Sequence, residues 1–190
     1  MSIGLDQIMT AAIRHLNGDP TASMAQLAGA VGVSRATLHR HFSSREELML
    51  ALGHRALDRW QQAQEAAGVT PAAGSGDPDR IGAALTALLT HLVEVTDEYG
   101  FALTDHALAV HPDLARRSDE LEEREIALYS AAQRAGLIRA DLPARWVSGT
   151  VFGLCVAVRE GLRRGDVARR EAPRLVRESF WHGAAPRETT

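Results

Sequence analysis

The chain has 190 residues, suited to one or two small domains, and 45% hydrophobic content, ordinary for a protein that buries a core. No run approaches the roughly 20 apolar residues of a membrane span, and MSIGLDQIMT lacks a basic region followed by an apolar stretch, so a cytoplasmic location is expected. The formal net charge of −3 argues against a nucleic-acid binder only as a total, because binding depends on the local field facing the phosphates.

Leu5, Ile8, Met9, Ala12, Ile13 and Leu16 repeat at i+3/i+4 and predict an amphipathic helix, stopped by Asn17-Gly18-Asp19-Pro20. It has too few core residues to stand alone and is expected to pack across the two helices that follow, completing a three-helix domain. Those two lie in SMAQLAGAVGVSRATLHRHFSSREE, Ser23 to Glu47. Ser23 stands three residues ahead of Gln26, a capping box for a helix over about 24–31 that turns Leu27, Ala28 and Val31 to one face. Gly32 supplies a residue able to take the left-handed conformation past the helix end. Ser34 is a second N-cap, with Leu38 and Phe42 on the buried side of the next helix and Val33 packed in the turn. The outer face of that helix carries Arg35, Ala36, Thr37, His39, Arg40 and His41. From Ser34 to Arg45 there are three arginines, two histidines and no acid.

A glycine turn between two capped helices is the requirement of a helix-turn-helix, whose second helix can enter the major groove. Any amphipathic helix pair explains the apolar spacing alone. The turn, the caps and the donor-rich outer face together favour DNA. Ser44-Arg45-Glu46-Glu47 is a further capping box, opening a long helix through Leu48, Ala51, Leu52, Leu57 and Trp60 to about Ala67. Arg45 in its first turn is placed either to meet a phosphate or simply to face solvent.

GVTPAAGSGDP, Gly68 to Pro78, reads as a surface loop. Ile81, Leu85, Leu88, Leu89, Leu92 and Val93 mark a strongly apolar helix ending near Tyr99-Gly100. Phe101 to Val110 gives a shorter one, stopped by His111-Pro112, and Leu114, Leu121, Ile126, Leu128 and Tyr129 a longer one through Ala135. From Pro143 to Gly161, Val147, Val151, Phe152, Leu154, Val156 and Val158 alternate with small residues, so that helix is apolar nearly all round and must be covered on every face. A last helix carries Val167, Leu175, Val176, Phe180 and Trp181. A small domain cannot easily surround both, so they are expected to pair with a second subunit as a four-helix interface through Val147, Val151, Leu154, Val158, Leu175 and Phe180, with Gly149 and Gly153 allowing close approach. The fold class predicted is all-α with about nine helices: a helix-turn-helix domain over residues 1–47, and a helical ligand-binding and dimerisation bundle over 48–190, joined by the helix 48–67.

GVSRATLHRHFSSREEL, Gly32 to Leu48, resembles the DNA-binding signature of TetR-type transcriptional repressors, and the resemblance covers about the first 60 residues. The later helices fit that family in number and order. The resemblance implies a homodimer, an N-terminal reader of double-stranded operator DNA, and a core that binds a small-molecule effector and thereby releases the DNA. Carried over by position, it puts Thr37, Arg40 and His41 near base edges, and Arg35, His39 and Arg45 near bases or phosphates, with Ser34 a cap that also touches phosphate. That family usually has tyrosine where this chain has His39. Arg40 is the prime reader, since a guanidinium pairs with both acceptors on a guanine edge, worth roughly 1–3 kcal/mol of discrimination.

A ligand pocket draws polar groups from several helices onto an apolar cavity, and the candidates are His91, Tyr99, His106, Tyr129 and Trp146. His91, Glu94 and Glu98 share a helix face that would suit a metal, but an ordinary solvated stripe explains them better. The lone Cys155 gives neither a disulfide nor a metal-ligand spacing, and no metal or cofactor is expected. An enzyme is not expected either: there is no glycine-rich phosphate loop and no nucleophile elbow, and Cys155 lies in an apolar helix. The reading is a ligand-responsive repressor. The alternatives are a regulator of the same fold without an inducer, and a helical enzyme or binding protein with a vestigial motif.

Overall fold

The computed structural model describes residues 4–185, and these contain ten α-helices, one 3-10 turn and no strand. The first three helices, α1 (Leu5–Gly18), α2 (Met24–Val31) and α3 (Arg35–His41), bury Ile8, Ala12, Leu16, Leu27, Ala28 and Leu38 against one another. Their shared core does not close at residue 47. It continues into the first half of α4 (Arg45–Ala66) through Leu48, Met49, Leu52 and Ala56, and takes in Tyr99, Phe101, Leu108 and Leu114 from further along the chain.

The segment read as a loop after α4 contains a short helix, α5 (Val69–Ala73). Its glycines and proline suggest an exposed connection, but Val69 and Ala72, three apart, are both buried in the larger core. This element accounts for the tenth helix. The central helix α6 (Pro78–Tyr99) is capped by Asp77 and packs on α1, α4, α5 and all the helices that follow α7. Residues 101–110, predicted as one helix, are split between the 3-10 turn Gly100–Thr104 and α7 (His106–Val110), with the Asp105 carboxylate accepting from Leu108 N at 3.1 Å as the cap that starts α7 afresh. α8 (Pro112–Arg134), α9 (Ala144–Arg164) and α10 (Ala172–Ala184) complete the bundle.

α9 is not covered on every face. Val147, Val151, Cys155 and Val158 form one stripe buried in the protomer, while Trp146, Gly149, Phe152 and Gly153 are exposed. Four of the six residues assigned to a subunit interface, Val147, Val151, Val158 and Phe180, therefore belong to the protomer's own core. The reason is that α6, α8 and α10 already cover one side of α9. Leu154 is half-buried, and Leu175 is exposed on α10.

Candidate nucleic-acid interface and core cavity

The N-terminal helices are fixed by local hydrogen bonds that their sequence dictates. Ser23 Oγ accepts from Gln26 N at 3.3 Å while the Gln26 side chain accepts from Ser23 N at 2.9 Å. Gly32 ends α2 at φ 78°, a left-handed conformation that only glycine takes at no cost, and Val33 N then reaches Ala28 O at 3.0 Å. The chain is thereby turned so that Ser34 Oγ, accepting from Thr37 N at 3.0 Å, starts α3 directly. With Leu38 and Phe42 buried, Arg35, Ala36, His39 and Arg40 are exposed on the opposite face, and Thr37 and His41 lie at its edge, half-buried.

Two side chains here do work that sequence spacing did not reveal. Arg45 donates from Nε to Ala22 O at 3.0 Å and from Nη2 to Pro20 O at 2.7 Å, tying the α1–α2 loop to the start of α4. Glu47 does not complete a box on Ser44. It accepts from Ser43 N at 2.7 Å and Ser43 Oγ at 2.6 Å, which holds its carboxyl below the usual range, while Ser44 Oγ accepts from Glu47 N at 3.1 Å.

A cavity of about 480 Å³ lies between α4, α6, α7, α8 and α9, within the span typical of small-molecule sites. α4 gives it Leu57 and Trp60, α6 gives Leu92, Thr96 and Tyr99, and α9 gives Val151 and Phe152. Gly53 lets α4 come close to α8, since a Cβ there would stand 2.7 Å from a Leu114 methyl. Cys155 also lines the cavity, and burial pushes its thiol up to about 11, so it is an inert wall at neutral pH.

The polar lining comes mainly from α8, where Asp119, Glu122 and Glu125 recur every three residues. Glu125 is only 3% exposed. Its Oε1 accepts from Trp60 Nε1 at 2.6 Å and from Gln64 Nε2 at 2.9 Å, and its Oε2 accepts from the Tyr129 hydroxyl at 3.2 Å. All three donors are neutral. Burial pushes the Glu125 carboxyl up, the three donors pull it partly back, and the nearby Glu122 adds to the rise. Gln64 Oε1, buried beside this network, has no donor among the described residues. Glu122 accepts from Ser148 Oγ at 3.0 Å and pairs with the exposed Arg145 at 3.1 Å.

The cavity and the N-terminal helices meet at two polar junctions. Arg55 of α4 donates from Nε to the Tyr99 hydroxyl at 3.1 Å and from Nη2 to Thr10 Oγ1 at 3.1 Å, and pairs with Asp6 at 2.8 Å. Burial raises the Tyr99 hydroxyl, against the pull of Arg55, so it stays protonated. Asn17 of α1 donates from Nδ2 to Glu98 O at 2.8 Å and accepts from Phe101 N at 3.0 Å, closing the open end of α6.

Of the five predicted pocket residues, Tyr99 lines this cavity. Tyr129 stands behind it, holding Glu125. His91 is on the outer side of α6, 3.1 Å from Glu94, and Arg59 pairs with Glu94 and Glu98. His106 is exposed at the start of α7, and Trp146 is 66% exposed on the outer face of α9. These three sit on helices that border the cavity but on the wrong sides of them. The α8 acids were missed because the first half of α8 is dense in charged residues, and Trp60 because it falls in the apolar pattern of α4. One signal was available: Glu125 falls four after Leu121 and four before Tyr129, inside the buried stripe.

Residues 8–52 match the family model for bacterial regulatory proteins of the tetR family. The chain is 29% identical over 158 residues to the HTH-type transcriptional repressor LfrR of Mycolicibacterium smegmatis, covering 83% of this chain and 78% of that protein. It is 28% identical over 169 residues to the HTH-type transcriptional regulator NfxB of Pseudomonas aeruginosa, covering 87% and 86%. Among solved structures, the TetR-like regulator LfrR from Mycobacterium smegmatis in complex with proflavine superposes with a TM-score of 0.74 at 24% identity over 96% of each chain. The ketosteroid transcriptional regulator KstR2 of Mycobacterium tuberculosis does so at 0.75 and 15% identity over 98% of each. Residues 8–52 are thus the segment matched to the tetR family, and the chain as a whole carries the all-helical fold of TetR-like transcriptional regulators.

Proposed function

We propose that this chain is a transcriptional repressor that binds a palindromic operator as a homodimer and leaves it when a small molecule occupies the core cavity. One observation carries the reading. α4 is at once part of the reader's core, through Leu48, Met49 and Leu52, and a wall of the cavity, through Leu57 and Trp60. A ligand that pushes on Trp60 moves the helix on which α3 is mounted. The division of labour is reading in residues 1–47 and sensing in 48–190, with α4 shared between them.

On α3, Arg40 reads a base edge while Arg35 and His39 hold phosphates, with Thr37 and His41 at the margin of the contact. Two copies of α3 about 34–36 Å apart enter successive major grooves. The exposed strip of α9 and α10, Trp146, Gly149, Gly153 and Leu175, is the surface through which the copies pair. The effector acts by binding the released arrangement more tightly than the DNA-bound one, since equal affinity for both shifts nothing. The proflavine complex of LfrR supports a small-molecule effector of this kind. Selection of duplexes from fragmented genomic DNA with the purified full chain tests the reading: enrichment of an inverted repeat with half-sites one helical turn apart is expected, and recovery of unenriched DNA would contradict it.

A further inference from the structure

The effector that this cavity accepts is decided by a one-sided distribution of charge. Its described lining includes Asp119, Glu122 and Glu125 and no arginine, lysine or histidine. Arg145 answers Glu122 and Glu123 from the outside. Glu125 is different, because it is deep in the wall, nearly all its surface is covered, and every group that donates to it is uncharged. A buried carboxylate without a cation is costly, so one kept in an apolar wall is a place where a positive charge is gained on binding. Acceptors are in surplus there, with Gln64 Oε1 lacking any donor among the described residues. The rest of the lining supplies the other half of the recognition. Trp60, Tyr99 and Phe152 bring aromatic rings, whose faces attract cations, and the remaining surface is mostly aliphatic.

We propose that the ligand class of this cavity is a flat, hydrophobic organic cation, its ring system held among Trp60, Tyr99 and Phe152 and its positive charge directed at Glu125, with Asp119 and Glu122 drawing it in. This rests on the effector reading of the cavity and adds the sign of the effector's charge. Neutral aromatic compounds would gain the same apolar contacts without the pairing at Glu125. Anions would meet three carboxyl groups.

Three tricyclic probes of nearly equal shape separate these cases: N-methylphenanthridinium, phenanthridine and phenanthridine-6-carboxylate. Calorimetric titration of the full-length protein is done at mildly alkaline pH, where phenanthridine is neutral. The cation is expected to bind at least about tenfold more tightly than phenanthridine, and the carboxylate most weakly. Glu125→Gln should bring the cation to within about twofold of phenanthridine and leave phenanthridine unchanged. If that variant shows no cooperative melt, the double variant Asp119→Asn/Glu122→Gln carries the test, with a loss of cation preference of about threefold or more expected. Equal or tighter binding of phenanthridine or the carboxylate, or a cation preference that survives neutralisation in a folded variant, overturns the assignment of charge while the cavity remains an effector site. Failure of all three probes to bind overturns the assignment and removes the cavity's support as an effector site as well.

Discussion

Arg35 and Arg40 lie five residues apart on α3 but are assigned different chemistry by the proposed reading, and substitution separates them. Arg40→Ala should cost about 1–3 kcal/mol against the selected duplex and almost nothing against random DNA, because only a base contact distinguishes sequences. Arg35→Ala should weaken both alike and lower the salt dependence by about one phosphate contact. Competition binding over a salt series reads both, and a uniform loss in Arg40→Ala would reassign it to the backbone. Glu125 gives a second residue-scale test, on stability. Its carboxyl holds a proton more tightly in the folded chain than in the unfolded one, so folding is favoured below the ordinary value of 4.5 and loses stability as pH rises from there through the raised folded-state value. Glu125→Gln removes this loss. The melting temperature of the variant minus that of the wild type should therefore climb as pH rises across that window, whereas a difference independent of pH would mean that Glu125 is not perturbed.

The elements legible in the sequence were those whose cause is local. Ser23, Gly32 and Ser34 specify caps and a turn within a few residues of themselves, so α2, α3 and the outward face of Arg35, His39 and Arg40 could be read directly. What was not legible depends on partners distant in sequence. α5 exists because Val69 and Ala72 find a core built by α6 and α8, against the local signal of glycine and proline. The faces of α9 could not be sorted, because apolar residues lie on both sides and only the packing of α6, α8 and α10 determines which side is inside. Asn17 illustrates the same limit. It reads as a helix breaker, yet it serves as a tie between α1 and the end of α6, across 81 positions of sequence to Glu98. Asn17→Ala leaves Phe101 N–H and the Glu98 carbonyl without this partner and should cost about 1–3 kcal/mol in urea denaturation. A loss below about 0.5 kcal/mol would show that solvent replaces the tie.

On the proposed reading, pairing of the whole molecule rests on the strip of α9 that no described part of the protomer covers. A Cβ built on Gly153 meets nothing within 4 Å, so a larger side chain there disturbs no contact of the protomer. Gly153→Leu should leave the fold intact, with a helix-propensity gain of up to about 1 kcal/mol, and yet obstruct the approach of a second copy. Sedimentation is expected to show a folded monomer for the variant and a dimer for the wild type. A variant that dimerises as well as the wild type would move the interface elsewhere. The proposed reading makes the same geometry govern DNA binding, because one α3 would touch too few bases to be selective alone, and two must reach the same face of the duplex. The most direct measurement is fluorescence anisotropy of the full-length protein on the selected inverted repeat, compared with the same half-sites moved apart by half a helical turn. Two linked reading helices predict affinity lower by a factor on the order of 100 or more on the displaced repeat, where the second half-site faces away. Equal affinity for the two duplexes at every salt concentration would contradict a paired reader.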